Sequence, residues 1–145
     1  MNMSGSEDNM TWKRFENFGE SFSPKISIRA TGHIGFSAGA VNKYELKKYE
    51  WCELHYDNEK KLVGFKFSNE EHTGITTRLI KRNMDCFIAA KPFLDYFGID
   101  YKPTRSYSGE PDENSNFIII DLNRPLIIHG RGKKKIPAKK EGDNL

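Results

Sequence analysis

From residue 25 onward, apolar and polar positions alternate. Ile26 and Ile28 fall on one face of an extended segment and Ser27 and Arg29 on the other. Thr31-Gly32 turns the chain into a second short extended piece, His33-Ile34-Gly35-Phe36. At Ser37 the period changes. Ala40, Val41, Tyr44 and Leu46 fit one helical face, and Ser37 stands where an N-cap is needed. After Lys47-Lys48 the period returns to two. Trp51, Glu53, His55 and Asp57 alternate with Cys52, Leu54 and Tyr56, and Asp57-Asn58 marks a turn. Beyond it Leu62, Gly64 and Lys66 alternate with Val63, Phe65 and Phe67. The pattern predicts β-turn-β-α-β-turn-β over residues 25–67.

The same apolar spacing recurs further along. A shift of 53 positions sets Ile26 on Leu79, Ile34 on Phe87, Ala40 on Phe93, Val41 on Leu94, Tyr44 on Phe97 and Arg29 on Arg82. Residues 25–67 and 78–122 then read as two copies of one unit. Neither carries enough apolar surface for its own core, so the copies would have to be built into each other. Between Tyr101 and Asn116 two prolines, a glycine and several turn formers predict a long exposed loop. Residues 117–122, FIIIDL, form the clearest strand and suit a central buried position, with Leu126-Ile127-Ile128 extending the sheet. The expected fold class is α+β, mostly β: a small pseudo-twofold β-barrel or sheet built from two β-β-α-β-(β) units.

The ends differ from this body. Residues 1–24 form an N-terminal arm in which Trp12, Phe15, Phe18 and Phe22 recur at spacings of three, three and four, an aromatic stripe that covers an edge of the core or docks on a partner chain. Residues 25–128 make one globular domain, and residues 129–145 a basic flexible tail. From Arg124 to Leu145 seven basic side chains face two acidic ones, whereas residues 1–123 hold sixteen basic and eighteen acidic. The positive charge of the chain is therefore concentrated at one end, which suits either an electrostatic partner or a solubilising tail. No apolar run approaches membrane-spanning length and the first residues are polar, so a soluble cytoplasmic protein is expected, with no membrane partner. Cys52 and Cys86 lie in apolar strands and read as buried reduced thiols.

Catalytic patterns are lacking. There is no phosphate-cradling loop, no C-x-x-C pair and no metal-ligating histidine spacing, and Gly32, Gly35 and Gly39 are explained by turns and a strand bend. His55 beside Asp57 is either a small acid-base pair or a solvent-facing pair. No enzyme activity, cofactor or metal is expected. The basic residues of the body are more informative. Arg29 lies on the polar face of its strand, and its offset counterpart Arg82 is accompanied by Arg78 and Lys81. Two arginines related by a twofold could straddle a duplex, one to each strand.

The first unit resembles the swapped-hairpin barrels of the AbrB, MazE and SpoVT type. Residues 26–29 stand for the first strand, Gly32-His33 for the glycine-basic pair, residues 34–36 for the second strand, residues 40–46 for the helix and 54–67 for the hairpin. His33 stands where the family usually has arginine and Ser37 where it usually has proline. The resemblance implies two interlaced units and DNA binding through basic residues of the first strand and nearby loops. The leading expectation is a non-catalytic nucleic-acid-binding protein, a DNA-binding transcriptional regulator or accessory factor, with DNA favoured over RNA. Its binding residues would be Lys25, Arg29, His33, Arg78, Lys81 and Arg82, with Arg131, Lys133, Lys134 and Lys135 adding affinity from the tail. The alternative is a protein-interaction module, a homodimer or heteromeric partner assembling through Trp12, Phe15, Phe18 and Phe22.

Overall fold

A computed structural model describes residues 11–15 and 23–130. Its elements follow the alternation closely in the first half. β1 (Lys25–Ile28) and β2 (His33–Phe36) form a hairpin, followed by α1 (Ala38–Lys43). The Ser37 hydroxyl accepts from the Ala40 N–H at 3.2 Å, so the expected cap forms. Leu46 falls outside α1, in a single 3₁₀ turn (Leu46–Lys48), yet it is fully buried. β3 (Trp51–Asp57) and β4 (Leu62–Ser68) make the second hairpin. Its turn is held by the Asp57 carboxylate, which accepts from the N–H groups of Glu59 and Lys60, both at 3.0 Å.

The second half runs β5 (Thr76–Arg78), β6 (Ile80–Lys81), β7 (Cys86–Ala89), α2 (Lys91–Tyr96), β8 (Arg105–Ser108), β9 (Glu110–Pro111), β10 (Ile118–Asp121) and β11 (Ile127–Ile128). Two antiparallel sheets result. The five-stranded sheet has the order β9-β10-β4-β3-β5, and the six-stranded sheet β11-β8-β1-β2-β7-β6. The fold is α+β and mostly β, but the sheets do not close into a barrel. Instead two strand runs step from one sheet to the other. Buried Leu79 joins β5 to β6, its N–H donating to the Glu50 carbonyl at 2.8 Å, and Gly109 joins β8 to β9, its N–H donating to the Pro24 carbonyl at 2.8 Å.

The two expected units meet at the β2–β7 pairing in one sheet and at the β4–β10 pairing in the other, with a helix following the hairpin strand in each half. The register departs from the expected offset of 53. Ile34 pairs with Ile88 and both are fully buried, whereas Phe87 pairs with Gly35 on the opposite face. A shift of 53 would set inward Ile34 on outward Phe87, and one residue of slip exchanges the faces of a strand. Between the sheets lie Ile26, Ile28, Ile34, Phe36, Val63, Phe65, Ile88 and Ile120, with Leu94 of α2 also fully enclosed. Burying such side chains stabilises the fold by about 1.5–3 kcal/mol each.

The stretch expected as a long exposed loop is corrected. Residues 105–111 form β8 and β9, and Ser106 and Tyr107 are buried, because β8 pairs along the whole of β1. Turn-forming residues mark its borders, while Arg-Ser-Tyr-Ser between them keeps the period-two pattern of a strand. In the arm Trp12 is 84% exposed. Phe18, Phe22 and the tail residues Arg131, Lys133, Lys134 and Lys135 lie outside the described residues. Cys52 and Cys86 are free and buried. No helix among the described residues is long and apolar enough to cross a membrane.

Candidate nucleic-acid interface

The six-stranded sheet turns Ile26, Ile28, Ile34, Phe36, Cys86 and Ile88 inward. By alternation its other face carries Ser27, Gly35 and Phe87. The β1–β2 turn delivers two basic residues to the end of this face. The Arg29 N–H donates to the His33 carbonyl at 2.8 Å, and Gly32, at φ +90°, makes the tight turn between them. His33 is further held by a 2.9 Å hydrogen bond between its Nδ1 and the Thr31 hydroxyl.

Gly35 then decides where Arg29 goes. A Cβ on Gly35 would run into the Arg29 guanidinium, so the bare glycine lets that group lie across β2 toward β7. It reaches Phe87, with Cζ 5.8 Å from the ring centroid. Arg82 arrives from the other side. The turn after β6 fixes it, with Nε 3.1 Å and Nη2 3.2 Å from the two carboxylate oxygens of Asp85, and places its Cζ 5.1 Å from the same centroid. The His33 ring stands edge-on to Phe87 at 5.5 Å and 81°. Arg29, His33 and Arg82 thus meet at one aromatic ring. Among the described residues the side chain of Arg29 has no carboxylate partner, while Asp85 offsets the charge of Arg82.

The other expected residues separate from this cluster. Lys25 shares the outer face but sits at the far end of β1, opposite Ser108. Arg78 belongs to the five-stranded sheet, where it lies 4.7 Å over the Trp51 ring and 3.6 Å from a Glu50 oxygen. The Lys81 ammonium donates to the Lys47 carbonyl at 3.0 Å, and its pairing with Cys86 puts it on the opposite parity from Phe87.

Sequence reasoning missed the other half of the face. The hydroxyls of Ser27 and Ser106 are 2.7 Å apart, and Ser106 Oγ is 3.2 Å from Nε2 of exposed His129. Ser106 was hidden in the supposed loop, and the alternation of Arg105 to Ser108 was the signal that could have exposed it.

On the five-stranded sheet, His55 does not pair with Asp57. Its Nε2 meets a Glu53 carboxylate oxygen, and its ring stacks on Phe117 at 4.5 Å. An open cavity of about 340 Å³ beside it is lined by Asp57, Lys60, Asp112 and Phe117. Its carboxylates serve the backbone and a neighbouring hydroxyl: Asp57 closes its turn, and Asp112 accepts from Ser115 at 2.7 Å. Burial pushes the Cys86 thiol up to about 11 and the Cys52 thiol higher still, so both are protonated at neutral pH. Among the described residues no group of His, Cys, Asp and Glu could hold a metal ion. Comparison with protein-family models, curated proteins and solved structures finds no match to this chain.

Proposed function

We propose that this protein binds nucleic acid through the outer face of the six-stranded sheet, without catalysis, as a DNA-binding regulator or accessory factor. The observation that carries the reading is the meeting of Arg29, His33 and Arg82 around Phe87. Guanidinium groups beside an aromatic ring offer both a phosphate contact and a stacking surface. Arg29 supplies charge that no carboxylate among the described residues cancels. Arg131 and Lys133 to Lys135 add a sequence-independent attraction. Fluorescence anisotropy with labelled DNA and RNA oligonucleotides over a salt series tests the reading. Affinity should fall steeply with salt, and salt-insensitive binding would remove it.

A second reading rests on exposed apolar groups. Trp12 is open to solvent, and a groove of about 620 Å³ is lined by Ile75, Pro92, Phe93, Tyr96 and Phe97. On this view the chain assembles with a protein partner or a second copy. Deleting residues 1–24 separates the roles: lost assembly with intact nucleic-acid binding assigns the arm to protein contacts.

A further inference from the structure

Resting on that reading, we infer that the occupant is a single polynucleotide strand laid across the sheet, and that Ser27 and His129, linked through the buried Ser106 hydroxyl, form the second half of its path. The register aligns one residue from each strand on a line crossing the six-stranded sheet: Ile127, Ser106, Ser27, Gly35, Phe87 and Ile80. Five strand spacings make this line about 24 Å long. Its two halves differ in chemistry. Phe87 and the two guanidiniums occupy one half, and a chain of two hydroxyls and an imidazole the other. Gly35 lies between them, buried beneath the Arg29 guanidinium, which occupies the space a side chain would take.

The arrangement favours one strand over a duplex. Arg29 and Arg82 stand 5.8 and 5.1 Å from one ring centroid, so they mark a single point on the face and not two separate rails. Reading a duplex by direct contact requires an element that enters a groove, and this face is a sheet surface whose line carries only Ser106, Ser27 and Gly35 at its middle. An unpaired strand has free base faces to lay on Phe87 and on the guanidinium planes. It also has sugar, phosphate and base-edge groups for Ser27 and His129 to hydrogen-bond.

Anisotropy titrations of the full chain with single-stranded and duplex DNA, over a salt series, test the inference with Ser27→Ala, His129→Gln and Arg29→Ala. Ser27→Ala and His129→Gln should each weaken single-strand binding about threefold to tenfold, as expected for a lost hydrogen bond. The salt slope of Ser27→Ala should stay that of the wild type, whereas Arg29→Ala should flatten it by about 0.7. Matching thermal melting curves confirm that each variant folds. If Ser27→Ala and His129→Gln bind like the wild type while Arg29→Ala is weakened, the crossing path is overturned and the cationic cluster stands. Duplex binding as tight as single-strand binding overturns the class of occupant. No binding by the wild type to either nucleic acid removes the nucleic-acid reading itself.

Discussion

The guanidinium of Arg29 occupies the space that a side chain on Gly35 would fill. A glycine inside a strand normally weakens it, through backbone entropy and lost packing. Here the position is buried beneath an arginine that reaches across to Phe87. The two residues exchange strand propensity for a cation held against the sheet.

Gly35→Ala should therefore separate stability from binding. The added methyl meets the far end of a flexible side chain, which can swing away without unfolding the sheet. Replacing glycine at a position without positive φ stabilises by about 0.4–1 kcal/mol through the unfolded chain. The melting temperature should hold or rise slightly, while affinity for nucleic acid falls several-fold. Thermal melting and anisotropy on the same sample check both halves.

Arg29→Ala should cost more binding than Arg82→Ala. Both approach Phe87, but Asp85 already offsets the charge of Arg82 through two hydrogen bonds. Removing Arg29 should flatten the salt slope on single strands by about 0.7 and weaken all sequences alike. Removing Arg82 should change the slope by less. An equal effect of the two would mean that Asp85 releases Arg82 on binding.

Ile34 and Ile88 face each other in the register at the centre of the six-stranded sheet, both fully buried. Ile34→Ala or Ile88→Ala should each destabilise by about 2–5 kcal/mol, from lost burial and the cavity left behind. Urea denaturation measures the change. Because the two residues touch the same layer, the double variant should depart from additivity.

The cysteines yield a pH prediction. Burial raises the Cys86 thiol from its ordinary value of 9.0 to about 11, and raises Cys52 further. The folded protein therefore holds these protons more tightly than the unfolded chain. The associated stability is complete below pH 9 and is lost as pH rises toward 11. Alkaline unfolding should set in above pH 9, and Cys86→Ala should reduce that dependence. At neutral pH, thiol-reactive probes should label both cysteines only at the rate at which the fold opens.

Much of the fold was legible in the sequence because period and turn chemistry agreed. Ile26 and Ile28 against Ser27 and Arg29, the Ser37 cap and the Asp57 turn all appear as read. β8 was obscured because Pro103, Gly109 and Pro111 border a four-residue strand whose partner, β1, lies far away in sequence. Arg29 and Arg82 could be singled out by their offset, but not their meeting at Phe87. That meeting depends on β2 and β7 being neighbours and on Gly35 clearing the way, both tertiary facts. Arg78 and Lys81 are close to Arg82 in sequence yet serve Glu50, Trp51 and Lys47, because the run from β5 to β6 crosses between sheets at Leu79.

The most direct test of the nucleic-acid reading is the salt dependence of single-stranded DNA binding by the full chain, by a chain ending at Gly130, and by each carrying Arg29→Ala with Arg82→Ala. The account predicts that the shortened chain still binds, more weakly and with a smaller slope. It also predicts that the double substitution flattens the slope of both forms by about 1, since each phosphate contact contributes about 0.7 and Asp85 discounts Arg82. A shortened chain that does not bind, or a double variant that keeps the wild-type affinity and slope, would contradict it and leave the basic tail as a general polycation.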